Sequence, residues 1–177
     1  MKGMVFTAFL EMVEKKFSAD MVDDIIDDAN LPSGGAYTAV GTYDHTELVS
    51  MVLALSKRTG ISVSDLVETF GENMFSLFYI NYPNFFAGVP NAFTFLLGVD
   101  KVIHVEVLKL YPDARLPKFD CELNGDTLTM IYRSPRCFSD LALGLITGCG
   151  KHFGEKLHID REDLSPESTK FTITKIR

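Results

Sequence analysis

No stretch of this 177-residue sequence reaches the roughly 18 consecutive apolar residues that a membrane span needs, so a transmembrane protein is not expected. A run of lysines or arginines is equally missing. The formal net charge is −7 and the pI is near 5.0. That balance argues against nucleic acid and anionic membrane as partners. Cysteine occurs only at Cys121, Cys137 and Cys149. These positions are too scattered for a disulfide framework or a zinc cluster, and their odd number fits a reducing compartment. Met1-Lys2-Gly3 runs straight into amphipathic sequence, without the apolar core and cleavage site of a signal peptide, so a cytoplasmic location is expected. Tryptophan is absent as well, yet there are 14 phenylalanines and 46% of the residues are hydrophobic. For a chain of single-domain length this is enough apolar material for a core and an internal apolar cavity.

The first half reads as helical. Val5, Ala8, Phe9, Met12 and Val13 have helical spacing within residues 3–17. Ser18 is placed to cap a second helix carrying Met21, Val22, Ile25 and Ile26. The acidic stretch from Asp20 to Asp28 is its solvated face. After the turn-rich Leu31-Pro32-Ser33-Gly34-Gly35, Asp44 and Glu47 form a capping-box-like start, and Gly60 marks the stop. Ser62 caps a helix from about Val63 to Tyr79. Pro83 interrupts the pattern, and Pro90 opens another helix through Phe93, Leu96 and Leu97. The second half changes character. Phe119 to Leu123 and Thr127 to Tyr132 read as strands around an Asn124-Gly125 hairpin signal, 138–153 as a helix, and Leu157 to Ile159 and Phe171 to Ile176 as strands. The pattern is α+β: a helical N-terminal part, then an antiparallel sheet crossed by one helix. Residues Val102 to Leu110 stay open between helix and strand. As a helix they place Leu97, His104, Val107, Leu108 and Tyr111 on one face; as a strand, His104 points with Glu106 and Leu108.

Two groups could carry chemistry. His104 lies in Val102-Ile103-His104-Val105, the most apolar setting of the four histidines. A low-dielectric pocket keeps an imidazole neutral and so able to bind iron, while a core histidine satisfied by one backbone partner is the plain alternative. The second group is Tyr132-Arg133-Ser134-Pro135-Arg136. In an extended chain Tyr132, Ser134 and Arg136 face one way, and Pro135 helps hold Ser134 extended. A phenol, a hydroxyl and a guanidinium suit a pair of carboxylates, such as the two propionates of haem. A strand end with a surface arginine is the alternative.

Taken together, these motifs make the chain resemble the haem nitric oxide/oxygen-binding (H-NOX) family, bacterial relatives of the sensor domain of soluble guanylate cyclase. The resemblance runs over essentially the whole length. It rests on Met1-Lys2-Gly3, Val102-Ile103-His104-Val105-Glu106-Val107, Leu116-Pro117, the Tyr-x-Ser-x-Arg motif at 132–136, and Leu143-Gly144-Leu145-Ile146. It implies a single haem-binding sensor domain over 1–177 with the haem buried between the helical part and the sheet. It also implies that 102–110 is helical, that His104 is the proximal iron ligand, and that Tyr132, Ser134 and Arg136 bind the propionates. Pro117 matches a proline that presses on the haem and bends it. No CxxCH occurs, so the haem would be haem b, held non-covalently. No cysteine follows Cys149, so the zinc-bound cysteine cluster of some members is not expected.

The resemblance also sets expectations for the ligand. Oxygen-binding members use a distal tyrosine supported by Trp and Asn. The matching positions here are Leu141, Phe9 and Met74, with Asn73 beside Met74 as an alternative and Tyr79 as a remoter donor. Val5, Phe78 and Leu145 are expected as further apolar lining. A pocket without a donor favours NO and CO over O₂. A sensor follows rather than an enzyme: NO weakens the bond to His104, releases its helix and signals to a partner, which the family implies is a histidine kinase or a cyclic-di-nucleotide enzyme. The alternatives are a haem enzyme and a metal-free module for an apolar ligand.

Overall fold

The structure, a computed structural model, describes residues 1–176. It divides into two compact units, Met1–Phe70 and Gly71 onward. The first contains α1 (Gly3–Lys16), α2 (Ala19–Ala29), α3 (His45–Thr59) and the opening turns of α4 (Val63–Asn81). The amphipathic spacing in the sequence becomes a buried stripe. Phe6, Phe9, Met12 and Val13 on α1, Ile25 on α2, and Leu48, Met51, Val52 and Leu55 on α3 are all buried. The Phe9 ring meets Phe70 edge-on at 5.3 Å.

The caps follow the expected chemistry, with one difference. The Ser18 hydroxyl accepts the Met21 amide, Gly60 ends α3 in the left-handed region at φ 72°, and the Ser62 hydroxyl accepts the Asp65 amide. Asp44 caps α3 by accepting the Thr46 amide, but Glu47 does not close a capping box. Its carboxylate is buried and instead accepts the hydroxyls of Ser33 and Tyr37, which ties the 31–43 loop to α3. Burial, with smaller effects from Glu47, raises the Tyr37 pKa to about 12. The acidic face of α2 is largely exposed, and Arg58 of α3 bridges its Asp24 and Asp28.

The second unit holds the rest of α4, a 3₁₀ turn at Pro83–Phe86, α5 (Ala92–Gly98), a π-helical segment (Val99–Ile103), α6 (His104–Leu110), β1 (Lys118–Asn124), β2 (Thr127–Arg133), α7 (Ser139–His152), β3 (Leu157–Ser165) and β4 (Ser168–Lys175). Pro90 stands just before α5 rather than in its first turn, because Asn91 takes the capping role and accepts the Thr94 amide. The strands form one antiparallel sheet in the order β1-β2-β4-β3, and α7 is the connection between its two hairpins. Alternation on the two central strands sends Leu128, Met130 and Tyr132 of β2 and Phe171 and Ile173 of β4 to one buried face. That face shares a core with Ala142, Ile146 and Cys149 of α7 and with Phe93 and Leu96 of α5.

Where α4 meets α7, two glycines leave no room for a side chain. A Cβ on Gly71 of α4 would lie 2.5 Å from the Leu141 carbonyl oxygen of α7, and one on Gly148 of α7 would lie 2.9 Å from Cβ of Phe75. In the first unit the clash is harsher: a Cβ on Gly3 would sit 1.8 Å from the Thr38 carbonyl oxygen, and the Gly3 amide donates to the Gly41 carbonyl. Gly3→Ala is therefore expected to lower folding stability by about 1–3 kcal/mol, the range for forcing an atom into a filled site. A fall in the urea midpoint checks this; an unchanged midpoint would show that the 38–41 loop yields freely.

Candidate functional site

His104 opens α6 directly after the π-helical segment. Its own amide reaches back five residues to the Val99 carbonyl. Wide π turns are uncommon and concentrate where a side chain must be re-aimed. The extra residue shifts the phase between α5 and α6. Leu97 and Ile103 pack on the core of the second unit, His104 and Val107 are half-buried, and Leu108 is exposed at 41%. The helical alternative for 102–110 thus holds from His104 onward; the π turn shifts the phase of Leu97 relative to His104, while Leu108, one regular turn beyond His104 on α6, is exposed.

The His104 side chain is only 15% exposed. Its ring lies 5.9 Å from that of Phe119, which in turn lies 5.6 Å from that of Tyr132. Nδ1 is buried and makes no hydrogen bond. The Asp100 Oδ1, four residues back, stands 3.4 Å away, close enough for charge attraction but without hydrogen-bond alignment. Burial lowers the His104 pKa, and Asp100 opposes this only in part. The result is a neutral imidazole in apolar surroundings. That state leaves a ring nitrogen lone pair for a metal.

The Tyr-x-Ser-x-Arg run falls at the end of β2. Tyr132 is third in the buried row Leu128-Met130-Tyr132, and its hydroxyl accepts the Phe138 amide at the approach to α7. Burial raises its pKa, while hydrogen bonds from Ser134 and the Phe138 amide pull the other way. Extended chain stops at Arg133. The Cys137 amide then bonds the Ser134 carbonyl, with Cys137 at φ 56°, so 134–137 form a turn rather than the continued extended segment expected from Pro135. Ser134 is buried and its hydroxyl accepts the Arg136 amide. The two arginines of the run differ. Arg133 forms an ion pair with Asp120 on the neighbouring strand. Arg136 gives one N–H to the Arg115 carbonyl at 3.2 Å and has no carboxylate partner among the described residues. Pro117 is half-buried immediately before β1.

The other expected positions lie on three helices. Met74 is buried on α4, one turn from the partly buried Phe78, while Asn73 is half-exposed. Leu141 and Leu145 are half-buried on α7, beside the backbone that Gly71 approaches. Val5 and Phe9 belong to α1 in the first unit, with Phe9 fully buried. Tyr79 is committed elsewhere: it is 45% exposed and its ring lies 4.3 Å from that of His152. Sequence reasoning missed Asp100 and Phe119 around His104. The spacing of four between Asp100 and His104 was the available signal, but it has meaning only once the segment is known to be helical. Among the described residues no group of three His, Cys, Asp or Glu is placed to hold a metal ion, and no helix is long and apolar enough to cross a membrane.

These residues fit a haem. The only buried side-chain polar atom without a partner among the described residues belongs to a neutral imidazole, and a guanidinium without a carboxylate stands with two buried hydroxyls in one short run. Acidification offers a check on the histidine. An unfolded histidine takes up a proton near pH 6.5, whereas the buried ring resists it to lower pH. The haem-free protein should therefore lose stability as pH falls through and below 6.5, and His104→Gln should remove that component. Identical pH profiles of the urea midpoint for the two proteins would contradict the assigned environment.

Comparison with known proteins gives the same direction. The family model described as Haem-NO-binding matches residues 2–161, across both units. The fold is similar to that of the Fe(II) unliganded H-NOX protein from K. algicida, at 39% sequence identity and a TM-score of 0.95, with 100% of this chain and 97% of that chain covered. It is also similar to the IWP-051-bound H-NOX from Shewanella woodyi in the Fe(II)CO ligation state, at 38% identity, a TM-score of 0.85 and coverage of 99% and 95%. An H-NOX protein from S. oneidensis shares the fold at 24% identity and a TM-score of 0.93, with both chains covered in full. The chain belongs to the Haem-NO-binding (H-NOX) family of haem-based gas sensors.

Proposed function

We propose that this protein binds haem b non-covalently through His104 and senses nitric oxide. The observation that carries the reading is the largely enclosed, neutral imidazole at the head of α6, its Nδ1 buried and unpaired, in a chain of this family. Nδ1 lies toward Asp100, which leaves Nε2 to engage the iron. Arg136, Tyr132 and Ser134 would hold the propionates: the guanidinium supplies charge and paired N–H groups, and the hydroxyls supply directional donors. Pro117, just ahead of β1, would press on the ring.

The haem supplies the ferrous iron at which a diatomic gas binds; selection among gases falls to the side chains around it. Bound O₂ carries partial negative charge and gains from a hydrogen-bond donor far more than NO does. Phe9, Met74 and Leu141 offer no strong donor, and Val5, Phe78 and Leu145 add only carbon. This supports a site that takes NO and CO and disfavours O₂. The S. woodyi relative is a CO complex.

Signalling would begin when NO weakens the bond to His104. α6 is then no longer tied to the iron, and a partner that contacts the protein differently in the two states is biased between them. A histidine kinase or a cyclic-di-nucleotide enzyme would be that partner, the whole chain acting as one sensor domain in the cytoplasm without catalysis of its own.

Absorption spectra of the reduced protein, with and without NO, test the ligand. His104→Gly should lose the iron–histidine signature and should already resemble the NO-treated wild type in its proximal ligation. A wild type that keeps the histidine on iron with NO bound at ambient temperature would contradict release. Oxygen tests the distal side. The reduced wild type should form no stable oxygenated complex in air, whereas Leu141→Tyr, which adds a donor worth roughly 1.5–3 kcal/mol, should raise O₂ affinity by about one to two decades. An oxygenated wild type would remove the basis for NO selectivity.

A further inference from the structure

We infer that Asp100 is a positioning residue for the iron ligand, and that one of its carboxylate oxygens couples His104 to strand β1. The inference rests on the assignment of His104 to iron. Three observations meet at that oxygen. Asp100 Oδ1 accepts the backbone amide of Phe119 at 3.3 Å, and this fixes the carboxylate against the start of β1. The same oxygen is 3.4 Å from the buried His104 Nδ1, which has no other partner. The Phe119 ring, from the residue whose amide holds the carboxylate, stands beside the imidazole at 5.9 Å and 40°.

Engagement of Nε2 by iron settles the tautomer, because a neutral imidazole ligated at Nε2 must carry its proton on Nδ1. That proton then lies on the side of the carboxylate, whose Oδ1 is 3.4 Å from Nδ1. A histidine ligand that donates its second N–H to a carboxylate is held in one orientation and becomes a stronger base toward the metal. Asp100 lies in the π-helical segment, directly ahead of α6, with its Oδ1 near both the ring and the strand amide. Nothing about Asp100 is needed to bind propionates or to line the gas pocket. Its action is through His104 alone, and through Phe119 it extends to the sheet that carries Tyr132.

The test uses the haem-loaded full chain with three variants: Asp100→Ala, Asp100→Asn and His104→Gly. Resonance Raman spectra of the ferrous proteins report the iron–histidine stretch, transfer of haem to an apo-globin reports its dissociation, and amide exchange reports the Phe119 hydrogen bond. Asp100→Ala should move the stretch to lower frequency and speed haem loss by about tenfold or more, the scale on which such partners act. Asp100→Asn, which keeps an oxygen acceptor without the charge, should fall between. Faster Phe119 exchange in Asp100→Ala with an unmoved stretch would assign Asp100 a purely structural role and overturn the inference. A wild type without an iron–histidine stretch, or one that persists in His104→Gly, would instead overturn the ligand assignment itself.

Discussion

A histidine that is to hold iron must present a ring nitrogen without a proton on it, and the surroundings of His104 meet that condition. Apolar packing keeps the imidazole neutral, the π-helical segment aims it, and Asp100 stands behind it. The requirement conflicts with ordinary helix economy. A regular α-helix through 92–110 would satisfy its backbone with less distortion, but would bring His104 to a different phase relative to Leu97 and Ile103. The distortion persists because the core of the second unit fixes both sides of it.

The sheet contributes in a different manner. Leu128, Met130 and Tyr132 alternate inward on β2, opposite Ile173, Phe171 and Thr169 of β4. Such a row is bound mainly by apolar burial, yet its last member carries a hydroxyl placed against the Phe138 amide. Polar function is therefore grafted onto the end of a hydrophobic row, where the strand gives way to a turn. That turn separates the two arginines: Arg133 remains within the ladder and pairs with Asp120, while Arg136 leaves it. Neighbouring residues of one type thereby acquire unlike electrostatic roles.

Much of this was legible in the sequence. Helix caps at Ser18, Asp44 and Ser62, the stop at Gly60 and the alternation of the strands are local effects, and local chemistry decides them. The difficulties arose where distant residues intervene. Glu47 had the spacing of a capping box, but Ser33 and Tyr37, brought over by the loop, compete for its carboxylate more effectively than its own backbone. Leu97 shares a face with His104 only if the helical period is constant, and the π turn between them alters it. His104 and Tyr132-x-Ser134-x-Arg136 stood out as residue types in context, whereas Asp100 was one acid among many until the fold set it beside a ring and a strand amide.

The near-contact of α4 and α7 at Gly71 and Gly148 has a mechanical meaning. Where side chains separate two helices, small displacements are absorbed by rotamer changes. Here main chain meets main chain at Leu141, with nothing compressible in between. A shift of α4 near Gly71 is passed to the stretch bearing Leu141 and Leu145 almost undamped. The packing beside those leucines is thus set by rigid main chain rather than by adaptable side chains, so any change there must move whole helices.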